Sequence, residues 1–388
     1  MYSSRFHWDL RPNRIARALA EKRGHGVPVL DLTESNPTRA GFAYPPDIPE
    51  AFADKSILHY EPQPAGLREA REAIARYYAA RRIAVDPDRI LLTASTSEAY
   101  AYLFKLLTDA GDEVLVPRPS YPLFDFLATM ESVTVRSYPL VYYGGWAIDW
   151  EGLLAAITPR TRAMVVVNPN NPTGSFLKIE ELERLVELSA EREIALISDE
   201  VFSDYGFGSD PARVSTVASL DRGLAFALSG LSKVAGLPQM KLGWIVIAGE
   251  HQERCRARER LEWIADTYLS VATPVQVAAA RLLTAGESVQ DQIHRRTAEN
   301  LAFALQAVER TEINLLKVEG GWYATLQVPR VRSEEDWTLE LLESANTLVQ
   351  PGFFFDFETE AFLIVSLLTD SVVFREGLTR LLAFDKTR

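Results

Sequence analysis

Two lysines eight residues apart, Lys233 and Lys241, lie in the run ALSGLSKVAGLPQMKLGW over residues 227–244. Small and apolar residues flank Lys233, a setting in which desolvation strips an amine of its charge and makes it nucleophilic near neutral pH, able to form a Schiff base. Between the two lysines, Gly236 and Pro238 mark a turn that folds Lys241 back toward Lys233. Two cations so placed suit an anionic cofactor. A second anion seat is legible in RILLTASTSEAYAYLFKLL, residues 89–107, where a strand runs through a Ser/Thr turn into a helix. The first turn of a helix has unpaired N–H groups and a partial positive charge, and Thr96 and Ser97 fall there. Ser97 or a neighbour would also cap that helix, and the two roles are compatible.

These residues need elements to hold them. Apolar runs at 90–93, 114–116, 164–167, 194–198 and 243–248 read as buried strands, the first ended by the Ser/Thr turn and the others by Pro, Asn, Asp or Gly. In open α/β sheets ligands bind at the carboxyl ends of such strands. The Asn/Pro cluster of RAMVVVNPNNPTG, with Asn168 and Asn171, and Asp199 in EIALISDEVFSDYGF stand at two of those ends. Helical spacing marks residues 8–23, 67–78, 99–107, 253–263 and 288–310, and residues 27–32 read as a short strand. FLIVSLLTDSVVFREGLTRLL, residues 362–382, reads as a strand followed by a helix. The expected fold is α/β. It has a large domain with a mostly parallel central sheet flanked by helices over residues 50–285, and a smaller α/β domain built from both chain ends, 1–49 and 286–388.

At 388 residues, 47% hydrophobic and 24% charged, the chain is long enough for two domains with sizeable cores. A net charge of -12 repels nucleic acid and anionic membranes, while leaving room for a local basic pocket. The single Cys255 excludes an internal disulfide and fits a reducing compartment. The first residues have no apolar stretch of a secretory signal, and no run approaches the ~20 residues that span a bilayer. A cytoplasmic protein is the expectation.

The motifs PSYP, NPNNPTG, SDEVF and GLSK, at residues 119–122, 168–174, 198–202 and 230–233, together resemble the class I/II aminotransferases. These are fold-type I pyridoxal-phosphate enzymes of the aspartate aminotransferase superfamily. The resemblance covers nearly the whole chain. It implies pyridoxal 5'-phosphate carried on Lys233, with Lys241, Thr96 and Ser97 on the phosphate, and Tyr60 reaching across a homodimer interface to the neighbouring subunit's phosphate. By the same resemblance Tyr121 stacks on the pyridine ring, Asn171 donates to the ring oxygen, and Asp199 keeps the ring nitrogen protonated. Asn168 reads as stabilising its own turn. Asn36 and Arg39 border the substrate pocket, and Trp322, after Gly320 and Gly321, lies at its mouth.

The chain departs from the family's pattern at five positions. Lys241 stands where Arg is usual, Gly230 where Ser is common, Ser95 where Gly is typical, Phe202 where a Tyr hydroxyl would bond the ring oxygen, and Ile364 where an Arg would grip the substrate carboxylate. Tyr205 is a substitute for the Phe202 hydroxyl if its loop bends favourably, and Arg39 is a substitute anchor for the carboxylate. The implied activity is transfer of an amino group between an amino acid and a 2-oxo acid. Phe202 and Ile364 keep open a pyridoxal-phosphate lyase, racemase, decarboxylase or oxidase, and a non-catalytic binding protein on the same scaffold is the third reading.

Overall fold

A computed structural model describes residues 2–6 and 8–385. In chain order its strands are β1 (Leu30–Asp31), β2 (Ile90–Thr93), β3 (Glu113–Arg118), β4 (Thr134–Tyr142), β5 (Trp146–Ile148), β6 (Thr161–Val167) and β7 (Ala195–Asp199). Then follow β8 (Leu224–Gly230), β9 (Gly243–Gly249), β10 (Asn314–Leu315), β11 (Tyr323–Gln327), β12 (Thr347–Leu348), β13 (Gln350–Pro351) and β14 (Phe362–Ser366).

The large sheet has the order β2-β9-β8-β7-β6-β3-β4-β5. Its middle pairs are parallel, and only β2 with β9, β9 with β8, and β4 with β5 are antiparallel. Both faces are covered, which explains the continuous apolar runs. In β7, Ala195 and Ile197 join one core with Tyr100, Phe104 and Leu261, while Leu196 points to the other with Ile74, Ala278 and Leu282. Because β9 is antiparallel to both its neighbours, β2 runs the same way as β8, β7, β6 and β3. Their carboxyl ends, with the start of β9, therefore share one edge: Thr93 and Gly230 both pair with Gly243, and Asp199 pairs with Val167 and Leu228.

A second, antiparallel sheet has the order β10-β11-β14-β13. One of its faces, with Leu326, Leu363 and Val365, packs on Trp337, Phe374 and Leu378. Near the other chain end, β1 pairs in parallel with β12. The helix Thr273–Val308 spans both layers: Ala278 and Leu282 enter the large-sheet core, and Leu301 and Ala304 the small-sheet core. Position 285/286, the expected division, falls inside it.

Some elements differ from expectation. The first helix is Arg14–Gly24, capped by Asn13, whose Oδ1 accepts from Ala16 N at 2.8 Å, while Trp8 packs instead on Phe126 with ring centroids 4.8 Å apart. The strand expected over 27–32 forms only at Leu30–Asp31, the two residues that find a partner in β12. The helix expected from Ser288 begins at Thr273, since Pro274 starts a helix and nothing after it breaks one.

One contact ties this long helix to the lysine turn. A Cβ on Gly286 would lie 2.2 Å from the Ala235 Cβ. In an open helix Gly→Ala stabilises by about 1 kcal/mol; here overpacking reverses the sign, and Gly286→Ala is expected to destabilise by about 1–3 kcal/mol, read from urea denaturation midpoints.

Candidate active site

The turn carrying Lys233 leaves the large sheet at Gly230 and returns at Gly243. Residues Leu231–Val234 make one helical turn, Pro238–Met240 a 3-10 turn, and Lys241 takes a left-handed conformation with φ 52°. Leu231 N donates to Leu242 O at 2.9 Å, so the outgoing and returning chains are pinched together. A Cβ on Gly230 would come 2.9 Å from Leu242 O, so a serine there would have to push the two chains apart. On the other side a Cβ on Gly243 would come 3.1 Å from both Ser95 C and Thr93 Oγ1. The pinch thus seats the Lys241 loop against the start of the helix Thr96–Leu107.

Ser95 is the cap of that helix, its Oγ accepting from Glu98 N at 3.2 Å. The Glu98 carboxylate is committed to Ala94 N at 2.6 Å and to the Ser270 hydroxyl at 2.8 Å. Thr96 and Ser97 in the first turn keep N–H groups that no intrahelical carbonyl can reach, and Lys241 is exposed beside them. An anion there would meet helix-end amides, two hydroxyls and one ammonium.

The Lys233 amine lies over the ring of Trp322 at 4.7 Å and that of Phe202 at 5.6 Å. Trp322 is fully buried, with Phe202 and Tyr205 each edge-on to it at 5.2 Å. It forms the wall behind the lysine, not the open mouth implied by the resemblance. Lys233 as a residue is half-buried, with its amine set against those two rings. Burial pushes the amine down to about 8, against the opposing pull of the Asp199 charge.

Asp199 closes β7 and is 6% exposed. Burial raises its carboxyl to about 6, opposed by the Val201 N–H at 3.3 Å, the Tyr100 hydroxyl at 3.2 Å and the Lys233 charge. Tyr100 is not legible as a site residue in the sequence; its only signal is its place one helical turn after Thr96. Tyr121 is half-buried, edge-on to Phe124 at 6.0 Å, and burial together with the Asp199 charge pushes its hydroxyl up to about 12.

The asparagines after β6 divide cleanly. Asn168 uses both ends of its amide, to Val214 O and from Leu177 N, each at 2.9 Å. Asn170 donates to Pro119 O and Thr173 Oγ1 and accepts from Ser120 Oγ. Asn171, only 8% exposed, keeps a buried amide oxygen position with no partner among the described residues. One open polar atom in an otherwise satisfied buried loop is suited to meet a ligand atom.

Tyr205 does not take the place of the hydroxyl absent at Phe202. Its phenol donates to the Lys233 carbonyl at 2.6 Å. Other predicted residues lie further out. Asn36 Oδ1 closes its own turn, accepting from Thr38 N at 3.0 Å and Thr38 Oγ1 at 2.8 Å; Arg39 is exposed; Tyr60 is 71% exposed. Ile364 is fully buried, paired with Thr325 and Gln350. Among the described residues no cluster of His, Cys, Asp and Glu could hold a metal, and no helix is long and apolar enough to cross a membrane.

Comparison with known proteins identifies the family and the fold. The family described as Aminotransferase class I and II matches residues 27–381. Over 271 aligned residues, 69% of this chain, it is 31% identical to the glutamate-pyruvate aminotransferase AlaA of Escherichia coli, and the aligned part spans 66% of that enzyme, just under two thirds. An alanine aminotransferase of Mycobacterium tuberculosis is 28% identical over 354 residues, 86% of this chain and 80% of the relative. The solved structure of an alanine aminotransferase from Pyrococcus furiosus superposes with a TM-score of 0.89 at 26% identity, covering 100% of both chains. Sequence motifs, sheet topology and overall superposition thus agree, and the chain belongs to the class I and II aminotransferases.

Proposed function

We propose that this chain is a pyridoxal-phosphate-dependent aminotransferase that moves an amino group between an amino acid and a 2-oxo acid, with Lys233 as its reacting amine. The observation that carries the reading is the Lys233 amine set over the rings of Trp322 and Phe202, where it feels the charge of the buried Asp199. The open amide oxygen position of Asn171 and the unpaired start of the helix Thr96–Leu107 fit a ring with a polar substituent and a phosphate. Lys233, Asn171, Asp199 and Tyr121 would hold the ring, and Thr96, Ser97 and Lys241 the phosphate. The exposed Tyr60 suits a shared site in a homodimer. We also read residues 50–285 as a large cofactor-binding domain, 1–49 with 286–388 as a small one, and the cytoplasm as the compartment.

Pyridoxal phosphate, when bound, supplies an aldehyde that condenses with amines and a ring that withdraws electrons from the adjacent carbon. Lys233 would be the residue that holds the aldehyde, and its amine, once free, would be the base and acid that takes a proton from the substrate Cα and returns it. An amine near 8 is poised for both duties. Asp199 would hold the proton on the ring nitrogen, and its ionised form is secured by Tyr100 and Val201 N. The names of the relatives make alanine, glutamate and pyruvate the first substrates to assay. Phe202 keeps the second reading in play, a pyridoxal-phosphate enzyme of another reaction type. The two separate by whether one equivalent of 2-oxo acid appears from the amino donor without acceptor and is reversed by added 2-oxo acid.

Borohydride reduction in the presence of pyridoxal phosphate should fix the cofactor to the Lys233 peptide, and Lys233→Ala should abolish that labelling; fixation at another lysine would refute the assignment. For the cofactor-free chain, a Lys233 amine depressed to about 8 means the unfolded state binds more protons between there and the ordinary lysine value of 10.5. Stability from this group therefore rises with pH across that window. Relative to Lys233→Met, the wild type's urea midpoint should gain from pH 8 to 10.5 and show no such gain if the amine is solvated. Arg39→Ala is expected to raise the KM for the amino donor about tenfold, the loss of one charge-assisted hydrogen bond, with kcat less changed; an unchanged KM removes Arg39 as the anchor.

A further inference from the structure

The lysine turn has an unusual amount of side-chain support. Three of its backbone carbonyls are bound from outside: Lys233 O by the Tyr205 hydroxyl at 2.6 Å, Val234 O by Gln290 Nε2 at 2.8 Å, and Gly236 O by the Tyr44 hydroxyl at 2.7 Å. A single helical turn, Leu231–Val234, is too short to stabilise itself. The donors come from three separate parts of the chain.

Two of the donors are themselves held. Gln290 also donates to Asp204 Oδ2 at 2.7 Å, Tyr77 donates to the same oxygen at 2.9 Å, and Arg81 bonds the other carboxylate oxygen. The Tyr205 backbone is fixed on both sides, its N–H donating to Phe202 O and its carbonyl accepting from Gly321 N, each at 2.9 Å. Its fully buried ring packs on Trp322, the ring that faces the Lys233 amine.

We propose that Tyr205 is a positioning residue for Lys233: its hydroxyl, seconded by Gln290 and Tyr44, anchors the carbonyl of the lysine and so aims the amine along the Trp322 and Phe202 rings into the pocket. This inference rests on Lys233 being the reacting amine. The charged and titratable groups around the turn are Asp199 facing the amine, and Asp204, Arg81, Tyr77 and Tyr44 behind it. Without the clamp the turn relaxes toward water and the amine regains protons.

The test is Tyr205→Phe, which keeps the ring, beside Tyr138→Phe as control. Tyr138 makes the same kind of bond, hydroxyl to Val165 O at 2.7 Å, also buried but away from the lysine turn. Competitive acetylation of the full-length, cofactor-free chain across pH, with the Lys233 peptide quantified by mass spectrometry, reads the amine's titration midpoint. Tyr205→Phe should raise that midpoint and lower kcat about tenfold, with the KM for the amino donor little changed, while Tyr138→Phe loses stability only. A Tyr205→Phe protein that loses stability like the control but keeps the wild-type midpoint and kcat overturns the positioning role. Should Tyr205→Phe fail to fold, Tyr44→Phe is read by the same criteria. Borohydride fixation of pyridoxal phosphate, done in parallel, separates the failures: fixation away from Lys233 overturns both the site and this inference, whereas fixation at Lys233 with an unmoved midpoint overturns this inference alone.

Discussion

An ammonium and a carboxylate share a dry space at one edge of a parallel sheet, and the rest of the molecule is arranged around keeping them there. Either charge buried alone would shed or take a proton. Burial drives Lys233 down and Asp199 up, and each one's charge partly restrains the other. Hydrogen bonds from Tyr100 and Val201 secure the carboxylate, while aromatic faces, Trp322 and Phe202, receive the amine. An ammonium over an aromatic face is attracted by the ring's quadrupole without being fully neutralised. The amine is therefore held without the direct ion pair that would fix its proton.

Holding that arrangement requires close backbone approach. The pinch between Gly230 and Gly243 brings the lysine turn onto the start of the helix Thr96–Leu107, and neither position has room for a Cβ. Gly286 lets the long helix close over Ala235 from the other side. That helix reaches from the large-sheet core to the small-sheet core, so a single rigid element connects the lysine turn with the sheet that carries Trp322's neighbours. Side-chain support of the turn by Tyr205, Gln290 and Tyr44 then fixes orientation where the backbone alone would not.

The departures from the family's pattern are explained unevenly. Gly230 follows from the crossing of two chains. Phe202 makes a floor for the amine with Trp322, and the nearby Tyr205 hydroxyl is turned to the lysine's carbonyl. Ile364 sits wholly within the small sheet between Thr325 and Gln350, and nothing in the structure explains the loss of the guanidinium at that position.

Much of this arrangement is legible in the amino-acid sequence. The central strands of the large sheet are readable because a doubly covered strand must be apolar throughout, and most of them end at a Pro, Asn, Asp or Gly. Lys233, Asp199 and Asn171 stand out because each sits at or just beyond such an ending. Short elements are less legible: β1 has two residues and exists only because β12 lies beside it. The first part of the long helix escapes a periodicity reading because its buried face includes Gln276 and the small Ala278, Ala279 and Gly286, which mark an apolar stripe only weakly. What the linear chain determined by itself was the alternation of elements and the residue types at strand ends, both local properties of pattern and propensity. Only the tertiary structure decided that Trp322 is a buried wall, that Asn171 and not Asn170 keeps an open amide, that Tyr100 supports Asp199, and that Tyr205 serves the lysine's backbone. Those outcomes depend on which distant groups meet in a dry interior, and the partner of a buried polar atom is chosen by packing between segments far apart in the chain, which no local pattern encodes.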